Sequence, residues 1–402
     1  MTATPESLGM SAARLQRLDA AMQRYVDRGL VAGVVTLLAR HGQLVHRGCY
    51  GQMDLDSARP MREDALFRIF SMTKPITSLA VMMLFEEGYF QLGFPVSLFL
   101  PEFAGLTVLS DPANIQSERL PLERPITIVD LLTHSSGLAY GLDRLTPLDA
   151  AFGDADMLRM DESLAEKITR IAEFPLHHQP GLRHTYSIAT DVLGRLVEVI
   201  SGERLDQFFQ HRIFEPLGME DTAFSVPPEK LERLAALYTP APGGGLLDLS
   251  RLEAQNNPSF IKGAWVDKRQ VPAFLSGGAG LVSRAADYMR FAQMLANHGT
   301  LDGVRLLGRK TLELMTSPHL RPEQFYIPGA SYSLGLTVLT DPARTLLPAS
   351  PGSYGGGGAA HTDFWVDPGE ELCGVLMVQY ASPNPLPLGL DFKVLAEQAI
   401  VD

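Results

Sequence analysis

Apolar residues recur along the chain with two different periods, and the change from one period to the other marks the predicted elements. Residues 11–30, SAARLQRLDAAMQRYVDRGL, carry apolar side chains at helical spacing and end at a glycine, which predicts a helix. Residues 33–51 contain two β-rich runs around a polar turn at 40–43, which predicts a β-hairpin. The long apolar run over 71–87 predicts a second helix, ended by Gly88.

The pattern of predicted elements changes in the middle of the chain and changes back towards its end. From about 95 to 270, helical stretches such as ITIVDLLTH, DVLGRLVEVISG and RLDQFFQHRIF alternate with loops rich in proline and glycine. After GGAGLVS (277–283) a further helix, AADYMRFAQMLANHG, is predicted. Three β-type runs follow at 332–340, 363–368 and 371–380, and the helical run LDFKVLAEQAI comes last.

Strands at both ends with helices between them predict the fold class. We expect an α/β fold of the α+β type, in which an antiparallel sheet is built from the N- and C-terminal segments and covered by the terminal helices. A mainly helical region would be inserted between the two halves of the sheet. The predicted domains are therefore a discontinuous α/β domain, 1–95 with 275–402, and a mainly helical domain, 96–274.

Composition narrows the classes of function. The chain has 402 residues, of which 46% are apolar and 20% charged, as in ordinary globular proteins. Its net charge of -12 is not gathered into blocks, which argues against nucleic acid and anionic membrane surfaces as partners. The N-terminus shows no secretory signal, and no apolar run approaches the length that spans a bilayer. We expect a cytoplasmic protein, as a monomer or a homodimer.

Metal and cofactor chemistry find little support in the sequence. Cys49 and Cys373 are too few for a disulfide framework or a cysteine zinc site, and both fall in predicted strands, where we expect buried, inert thiols. His177, His178 and His184 lack the helical spacing and the carboxylate company of a metal site. We therefore expect neither a metal nor a cofactor.

A serine and a lysine three positions apart are the first candidate for chemistry. This pattern occurs twice, as Ser71 with Lys74 and as Ser259 with Lys262. Positions three apart share a helix face, and the apolar run after Lys74 would bury that helix, which favours a neutral amine able to take a serine proton. The second match has no amphipathic run on either side. On this motif alone, Ser71 is as well explained as a helix N-cap as by nucleophilic catalysis.

Two further segments contain residues that such a serine requires. Tyr186 stands just before a strongly helical run, where its hydroxyl could carry a proton, although a lone tyrosine there is also explained by core packing. The run GSYGGGGAAHTDFWVDP (352–368) leads into a strand, and its glycines would let a substrate lie against an edge strand near a free backbone N–H. The alternative is a tight turn or bulge. No Gly-x-Ser-x-Gly elbow is present, which excludes an α/β-hydrolase.

With these motifs together, the chain resembles the serine β-lactamase and penicillin-binding-protein superfamily, closest to class C β-lactamases and family VIII carboxylesterases. The similarity covers nearly the whole chain and includes FSMTKPITS, ITIVDLLTHSSGL, YSIATDVLGRLVEVISG and SGGAGLVSRAADYMRFAQML. The family fold implies the same arrangement of a terminal α/β region and an inserted helical region.

The resemblance assigns roles to individual residues. It implies that Ser71 is the acylated nucleophile, Lys74 its partner base and Tyr186 the tyrosine of the second motif, which continues into Ser187 and Ile188 at positions expected to bind substrate. It also implies an oxyanion hole made by the backbone N–H groups of Ser71 and Ala359. The third motif falls on Gly356, Gly357 and Gly358, along which substrate would bind.

Two departures from the family pattern bear on the substrate. The second motif lacks the asparagine that class C lactamases use, and Gly356 stands where a lysine or a tryptophan is usual. Loss of the lysine removes the cation that would pair with a carboxylate, and loss of the tryptophan should leave a roomier acyl pocket. His361 lies nearby, but a structural role is the more common one for a histidine beside a strand, as it is for His134 at a helix end.

The sequence therefore predicts a serine hydrolase that cleaves short-chain carboxylic esters through an acyl-enzyme on Ser71, with Lys74 and Tyr186 as general base and acid. The expected partner is a small-molecule ester. Three alternatives remain at this point: an acyltransferase that uses the same acyl-enzyme, weak β-lactamase activity on cephalosporins, and a non-catalytic module resembling penicillin-binding proteins.

Overall fold

The computed structural model describes residues 4–142, 144–252 and 265–402. The second serine–lysine match, Ser259 with Lys262, lies outside the described residues. The helices of the described ranges are α1 Ala12–Asp27, α2 Thr73–Glu86, α3 Ile128–Leu132, α4 Pro147–Asp154, α5 Leu164–Ile171, α6 Ala189–Ser201, α7 Leu205–Phe209, α8 Glu215–Leu217, α9 Ala285–Ala296, α10 Arg309–Thr316, α11 Pro342–Thr345 and α12 Leu388–Glu397.

The strands of the same ranges are β1 Gly33–Arg40, β2 Gln43–Asp54, β3 Arg59–Pro60, β4 Phe67–Arg68, β5 Thr107–Leu109, β6 Arg119–Pro121, β7 Tyr238–Pro240, β8 Leu246–Asp248, β9 Val282–Ser283, β10 Thr300–Leu301, β11 Val304–Arg305, β12 Ala330–Tyr332, β13 Thr337–Leu339, β14 Tyr354–Gly357, β15 Asp363–Asp367 and β16 Leu372–Val378. Eight of them form one sheet in the order β12-β13-β14-β15-β16-β1-β2-β3.

The main sheet joins the two ends of the chain. Strand β1 pairs with β16 in antiparallel register, Val34 opposite Val378, and every other neighbouring pair in this sheet is also antiparallel. Three of its strands come from the N-terminal part and five from the C-terminal part. The predicted fold class, an antiparallel sheet built from both terminal segments, is confirmed.

Strand β1 is buried along its whole length because both faces of the sheet are covered. Val34 and Leu38 pack into the layer formed with α1 and α12, while Val35 and Leu37 point into the larger core, to which α2, α6 and α9 contribute. The alternation follows from the two-residue period of a strand. Burial on both faces explains why the sequence of β1 reads as a continuous apolar run.

The predicted β-hairpin is present, and its turn has a clear backbone cause. His41 and Gly42 connect β1 to β2, with φ values of 51° and 72°. A two-residue turn with both central residues in the left-handed region matches the right-handed twist of the flanking strands. The run at 332–340, by contrast, was predicted as one β segment and is split between β12 and β13. Gly335 between them has φ of 99°, which breaks the extended conformation.

The middle of the chain contributes short helices and two-stranded ribbons, not strands of the main sheet. Helix α6 packs against α2, which is buried from Thr73 to Leu84 and forms the centre of the larger core. This packing holds the start of α2 and the start of α6 close together. None of the helices in the described ranges is long and apolar enough to cross a membrane.

Candidate active site

Ser71 lies in a short 3-10 turn, Phe70–Met72, that leads directly into α2. The predicted helix therefore begins two residues later than expected, because Phe70 adopts φ of 42° and turns the chain sharply before the helix. A left-handed conformation at a bulky residue is strained, and strained residues of this kind are enriched at functional sites. The Ser71 side chain does not cap α2, whose first turn has no side-chain cap. Its hydroxyl points towards two other functional groups.

Lys74 is buried one helical turn further along, and its Nζ faces three oxygen atoms. Nζ lies 3.2 Å from Ser71 Oγ, 3.3 Å from the hydroxyl of Tyr140 and 2.8 Å from the carbonyl oxygen of Gly278. The arrangement fixes the direction of the lysine side chain towards Ser71.

Tyr186 reaches Ser71 from the loop before α6. Its hydroxyl donates a hydrogen bond to Ser71 Oγ at 2.8 Å, and Lys74 Nζ lies 4.6 Å from the centre of its ring. The side chain is 40% exposed, so one side of it faces solvent. The structure thus places the lysine and the tyrosine that the sequence singled out within hydrogen-bonding distance of Ser71 Oγ.

The His134 ring packs against the Tyr186 ring. The two rings lie 4.8 Å apart, and His134 Nδ1 accepts a hydrogen bond from the backbone N–H of Ser187 at 3.2 Å. Burial, with smaller contributions from His184 and Lys74, holds the pKa of His134 well below its usual range, so the ring is neutral. The expected structural hydrogen bond at this histidine is present.

Ser187 and Ile188, expected to bind substrate, do not face the cleft. Both are fully buried: Ser187 contacts His134, while the backbone N–H of Ile188 donates to Ala139 and its side chain packs into the larger core. The residues that follow Tyr186 turn inward at once because α6 begins at Ala189. These two residues therefore hold the tyrosine in place and have no surface that a substrate could touch.

Gly358 and Ala359 approach Ser71 from the turn after β14. Thr362 Oγ1 donates to the carbonyl of Ile69 at 3.2 Å, and a Cβ on Gly358 would lie 2.3 Å from that same carbonyl oxygen. Only glycine allows this approach of the two backbones. Among the described residues, neither the Ser71 N–H nor the Ala359 N–H donates to another protein group. Ser71 and Ala359 both line a pocket that also includes Phe70 and Ala279.

The glycine segment has an open edge, although β14 lies inside the sheet. Strand β13 pairs with Tyr354 and Gly355 and then ends, so Gly356 and Gly357 have a strand partner on the β15 side alone. A Cβ on Gly356 would meet no atom of the described residues within 4 Å. The space beside Gly356 is therefore open towards the side that β13 leaves unpaired.

Asp191 on α6 is a functional residue that the sequence analysis missed. Its Oδ1 accepts from Ser276 Oγ at 2.6 Å and from the Gly278 N–H at 3.1 Å, and the carbonyl of Gly278 in turn accepts from Lys74. Burial raises the pKa of Asp191, while these hydrogen bonds and the Lys74 ammonium oppose that rise. A carboxylate inside the apolar run that follows Tyr186 was the available signal.

Tyr140 was also missed. Its ring lies 5.5 Å from the Tyr186 ring, and its hydroxyl contacts Lys74. Burial, reinforced by Tyr186, raises the pKa of Tyr140 well above the ordinary value, so it remains a neutral hydroxyl. The segment THSSGLAY contains it, but its spacing from the other motifs gives no reason to select it.

His361 and Cys49, which the sequence analysis also considered, are surrounded by groups with a structural role. His361 Nδ1 lies 2.7 Å from the Tyr380 carbonyl and its Nε2 accepts from the Leu386 N–H, so both ring nitrogens are engaged by backbone. Burial lowers the pKa of His361. Cys49 is exposed on β2, contrary to the expectation of a buried thiol, yet desolvation and the carboxylates of Glu63 and Asp64 raise the pKa of its thiol to about 11. In the described ranges, no three metal-ligating side chains gather.

Comparison with known proteins agrees with this geometry. The sequence matches the model of the Beta-lactamase family over residues 18–398. The chain belongs to the Beta-lactamase family. Protein Rv1367c of Mycobacterium tuberculosis is 36% identical over 376 residues, covering 90% of this chain and 89% of the relative. Esterase EstB of Burkholderia gladioli is 33% identical over 413 residues and covers 98% of both chains.

A solved structure extends the likeness to three dimensions. EstCE1, described as a hydrolase with promiscuous acyltransferase activity, superposes with a TM-score of 0.81 at 26% sequence identity, over 97% of this chain and 99% of its own. The resemblance to serine β-lactamases and penicillin-binding proteins that the motifs indicated is confirmed.

Proposed function

We propose that this protein is a family VIII-type carboxylesterase, a serine hydrolase that cleaves small-molecule esters of short-chain carboxylic acids through an acyl-enzyme on Ser71. One observation carries the proposal. Ser71 Oγ lies 2.8 Å from the Tyr186 hydroxyl and 3.2 Å from Lys74 Nζ, at the mouth of an apolar pocket. A hydroxyl that contacts two proton-carrying groups beside a pocket has the surroundings of an activated nucleophile.

Acylation follows from these contacts. The reactive Lys74–Tyr186 pair holds one proton fewer than a lysine ammonium beside a tyrosine hydroxyl. Ser71 Oγ attacks the ester carbonyl carbon and passes its proton to that pair. The backbone N–H groups of Ser71 and Ala359 donate to the oxyanion that develops on the carbonyl oxygen. The C–O bond to the alcohol then breaks, and the pair returns the proton to the departing alkoxide, so that a neutral alcohol leaves and an ester to Ser71 remains.

Deacylation repeats these steps with water as the nucleophile. Tyr186 is partly exposed, so water has access to the pair after the alcohol departs. The pair takes a proton from that water as it attacks the acyl carbon, and then returns the proton to Ser71 Oγ as the acyl C–O bond breaks. Because Lys74 and Tyr186 both contact Ser71 Oγ, they act on its proton as a single acid–base unit.

The groups around the site favour an uncharged ester. The pocket beside Ser71 is lined by apolar and aromatic side chains, with no carboxylate or cation among its described lining residues. Gly356 supplies no cation at the position where lactamases bind a carboxylate through lysine. The curated relative named an esterase and the solved structure titled a hydrolase support ester cleavage as the reaction.

The proposed function is tested by hydrolysis of p-nitrophenyl acetate and butyrate. Wild type should hydrolyse both, and Ser71→Ala should lose several orders of magnitude in kcat, as removal of a covalent nucleophile generally does. The chain supplies its own matched control in Ser259→Ala, the serine of the second Ser-x-x-Lys match, which should keep wild-type rates. Near-native turnover by Ser71→Ala would refute the mechanism.

An acyltransferase that uses the same acyl-enzyme is the second candidate, and the description of EstCE1 is the observation that favours it. In that reaction an alcohol takes the place of water at the acyl carbon. Adding a primary alcohol to the p-nitrophenyl butyrate assay and separating butyric acid from the butyrate ester of that alcohol measures the partition. A product mixture dominated by the new ester, even at low alcohol concentration, would assign the protein to acyl transfer.

A further inference from the structure

The pocket beside Ser71 has one dominant side chain that none of the recognised motifs contains. Besides the residues next to the nucleophile, its walls include Tyr140, Leu142, Leu158 and Trp265. The indole of Trp265 is the largest side chain in this lining. It comes from the segment before β9, far in sequence from Ser71, Tyr186 and the glycine run.

The pocket lies on the acyl side of the reaction. The departing alkoxide must reach Tyr186 or Lys74 to receive its proton, and neither of these side chains lines the pocket. Ser71 and Ala359, whose N–H groups are assigned to the carbonyl oxygen, both do. With the alcohol on the Tyr186 side, the remaining substituent of the carbonyl carbon, the acyl chain, is directed into the pocket.

Trp265 is held rigidly in the wall. Its Nε1–H donates to the carbonyl of Leu158 at 3.0 Å, and its ring meets Phe274 edge to face, with centroids 6.3 Å apart. It also packs against the apolar cluster that contains Phe70 and Ala279. A side chain fixed by a hydrogen bond and by packing on two sides does not swing aside for a longer acyl chain without losing these contacts.

The position of Trp265 matters because the glycine edge lacks a bulky group. A tryptophan at position 356 was the family feature whose absence predicted a roomier and less defined pocket. Gly356 is indeed open. Trp265, however, supplies an indole to the pocket from a different segment, and the lining is apolar and crowded.

We propose that Trp265 is the residue that limits acyl-chain length, so that the substrates are esters of short, uncharged acyl groups with the alcohol portion left outside the pocket. This inference rests on the proposed ester hydrolysis. It assigns a specificity-determining role to Trp265 through direct contact with the acyl chain, and it predicts that the limit disappears when the indole is removed.

The test compares kcat/KM for p-nitrophenyl acetate, butyrate and octanoate in wild type and Trp265→Ala. Each methylene that the enlarged pocket buries raises kcat/KM roughly fourfold. The octanoate-to-acetate ratio should therefore rise at least tenfold in Trp265→Ala, since burying two more methylenes already exceeds that value. Trp265→Phe, which keeps a ring but loses the hydrogen bond to Leu158, should shift the ratio by a few-fold.

Two further variants keep the test decisive. Leu142→Ala enlarges the same pocket from another segment and should also raise the ratio, which covers the case in which Trp265→Ala does not fold. Leu182→Ala removes an exposed apolar side chain that does not line the pocket, and it should leave the ratio unchanged. An unchanged ratio in the Trp265 variants that fold and in Leu142→Ala, with acetate turnover retained, overturns the inference.

Failure of the proposed function gives a different result. If wild type hydrolyses none of the three esters, the ester hydrolysis itself is wrong, and the role of Trp265 falls with it. If wild type already prefers octanoate to acetate, the protein is an esterase but the indole does not restrict the acyl chain. A fluorescence change of Trp265 on acylation, read in a Trp365→Phe background because the chain has 2 tryptophans, supports direct contact. An unchanged emission spectrum contradicts it.

Discussion

Gly358 is predicted to be the most sensitive glycine of the β14–β15 turn. An alanine Cβ there would lie 2.3 Å from the Ile69 carbonyl oxygen and 2.3 Å from Thr362 Oγ1, whereas ordinary van der Waals contact begins at 3.4 Å. Both neighbours are fixed, since Thr362 also donates to that carbonyl. The backbone at residue 358 must therefore move away from Ile69 by about 1 Å.

This displacement acts on the oxyanion hole. Ala359 is the next residue, so its N–H moves with residue 358 while the Ser71 N–H stays with α2. A misplacement of about 1 Å in a catalytic group costs about a hundredfold in rate, and we expect this loss in kcat for Gly358→Ala. Crowding of this kind also destabilises the fold by about 1–3 kcal/mol.

The assay is kcat and KM for p-nitrophenyl butyrate, together with thermal unfolding, for Gly358→Ala and Gly356→Ala. The second variant adds the same methyl group two residues earlier, where no atom in the described part of the chain lies within 4 Å of it. The added methyl group can contact only the substrate, so we expect kcat to change by less than about tenfold and Tm to stay the same. Equal losses in the two variants, or near-native kcat in Gly358→Ala, would refute the reasoning.

Three further predictions follow from buried or open positions. Asp191→Asn keeps an oxygen that can accept hydrogen bonds from Ser276 and Gly278 but removes the charge near Lys74. This variant should fold normally, lose about ten- to a hundredfold in kcat/KM and show a shifted pH–rate profile. Asp191→Ala leaves the two donors unpaired, so the free energy of unfolding measured in urea should fall by about 2–4 kcal/mol. Burial raises the pKa of Glu397 to about 8, so its contribution to stability is present at low pH and is lost as the pH rises from about 4.5 to 8. The Tm of Glu397→Gln should consequently fall less than that of wild type between pH 5 and pH 8, and equal slopes would contradict this assignment. Gly356→Lys places an ammonium in open space beside the cleft and should lower KM for an ester that carries a carboxylate relative to its uncharged analogue. A ratio of KM values equal to that of wild type would show that this space does not face the substrate.

The fold was predictable where local patterns and tertiary packing agree. The period of α1, the turn at His41 and Gly42, and the apolar runs of β1 and β16 each specify an element, and the placement of strands at both ends predicted their common sheet. The break at Gly335 was not predicted, because an apolar run looks the same whether or not a single glycine reverses it. The division into domains at 95 and 275, like the cytoplasmic location, stays a prediction.

The candidate site was predictable as far as its motifs extend. The family resemblance is confirmed. The expectation of an ester-cleaving serine hydrolase is confirmed by relatives that are named an esterase and a hydrolase. Tyr140, Asp191 and Trp265 were missed for one physical reason. Each contacts a part of the chain that is distant in the sequence, namely Lys74, Gly278 and the pocket beside Ser71, and spacing along the chain carries no signal of such contacts.

The central claim is that Ser71 carries the acyl group during turnover. Mixing the protein with excess p-nitrophenyl butyrate, quenching in acid within milliseconds and measuring the intact mass tests it directly, and peptide mapping then locates the modification. We predict an added butyryl group on the peptide that contains Ser71, and no added mass on Ser71→Ala. Steady turnover without any acylated protein, or a butyryl group on another residue that turns over at the catalytic rate, would contradict the account.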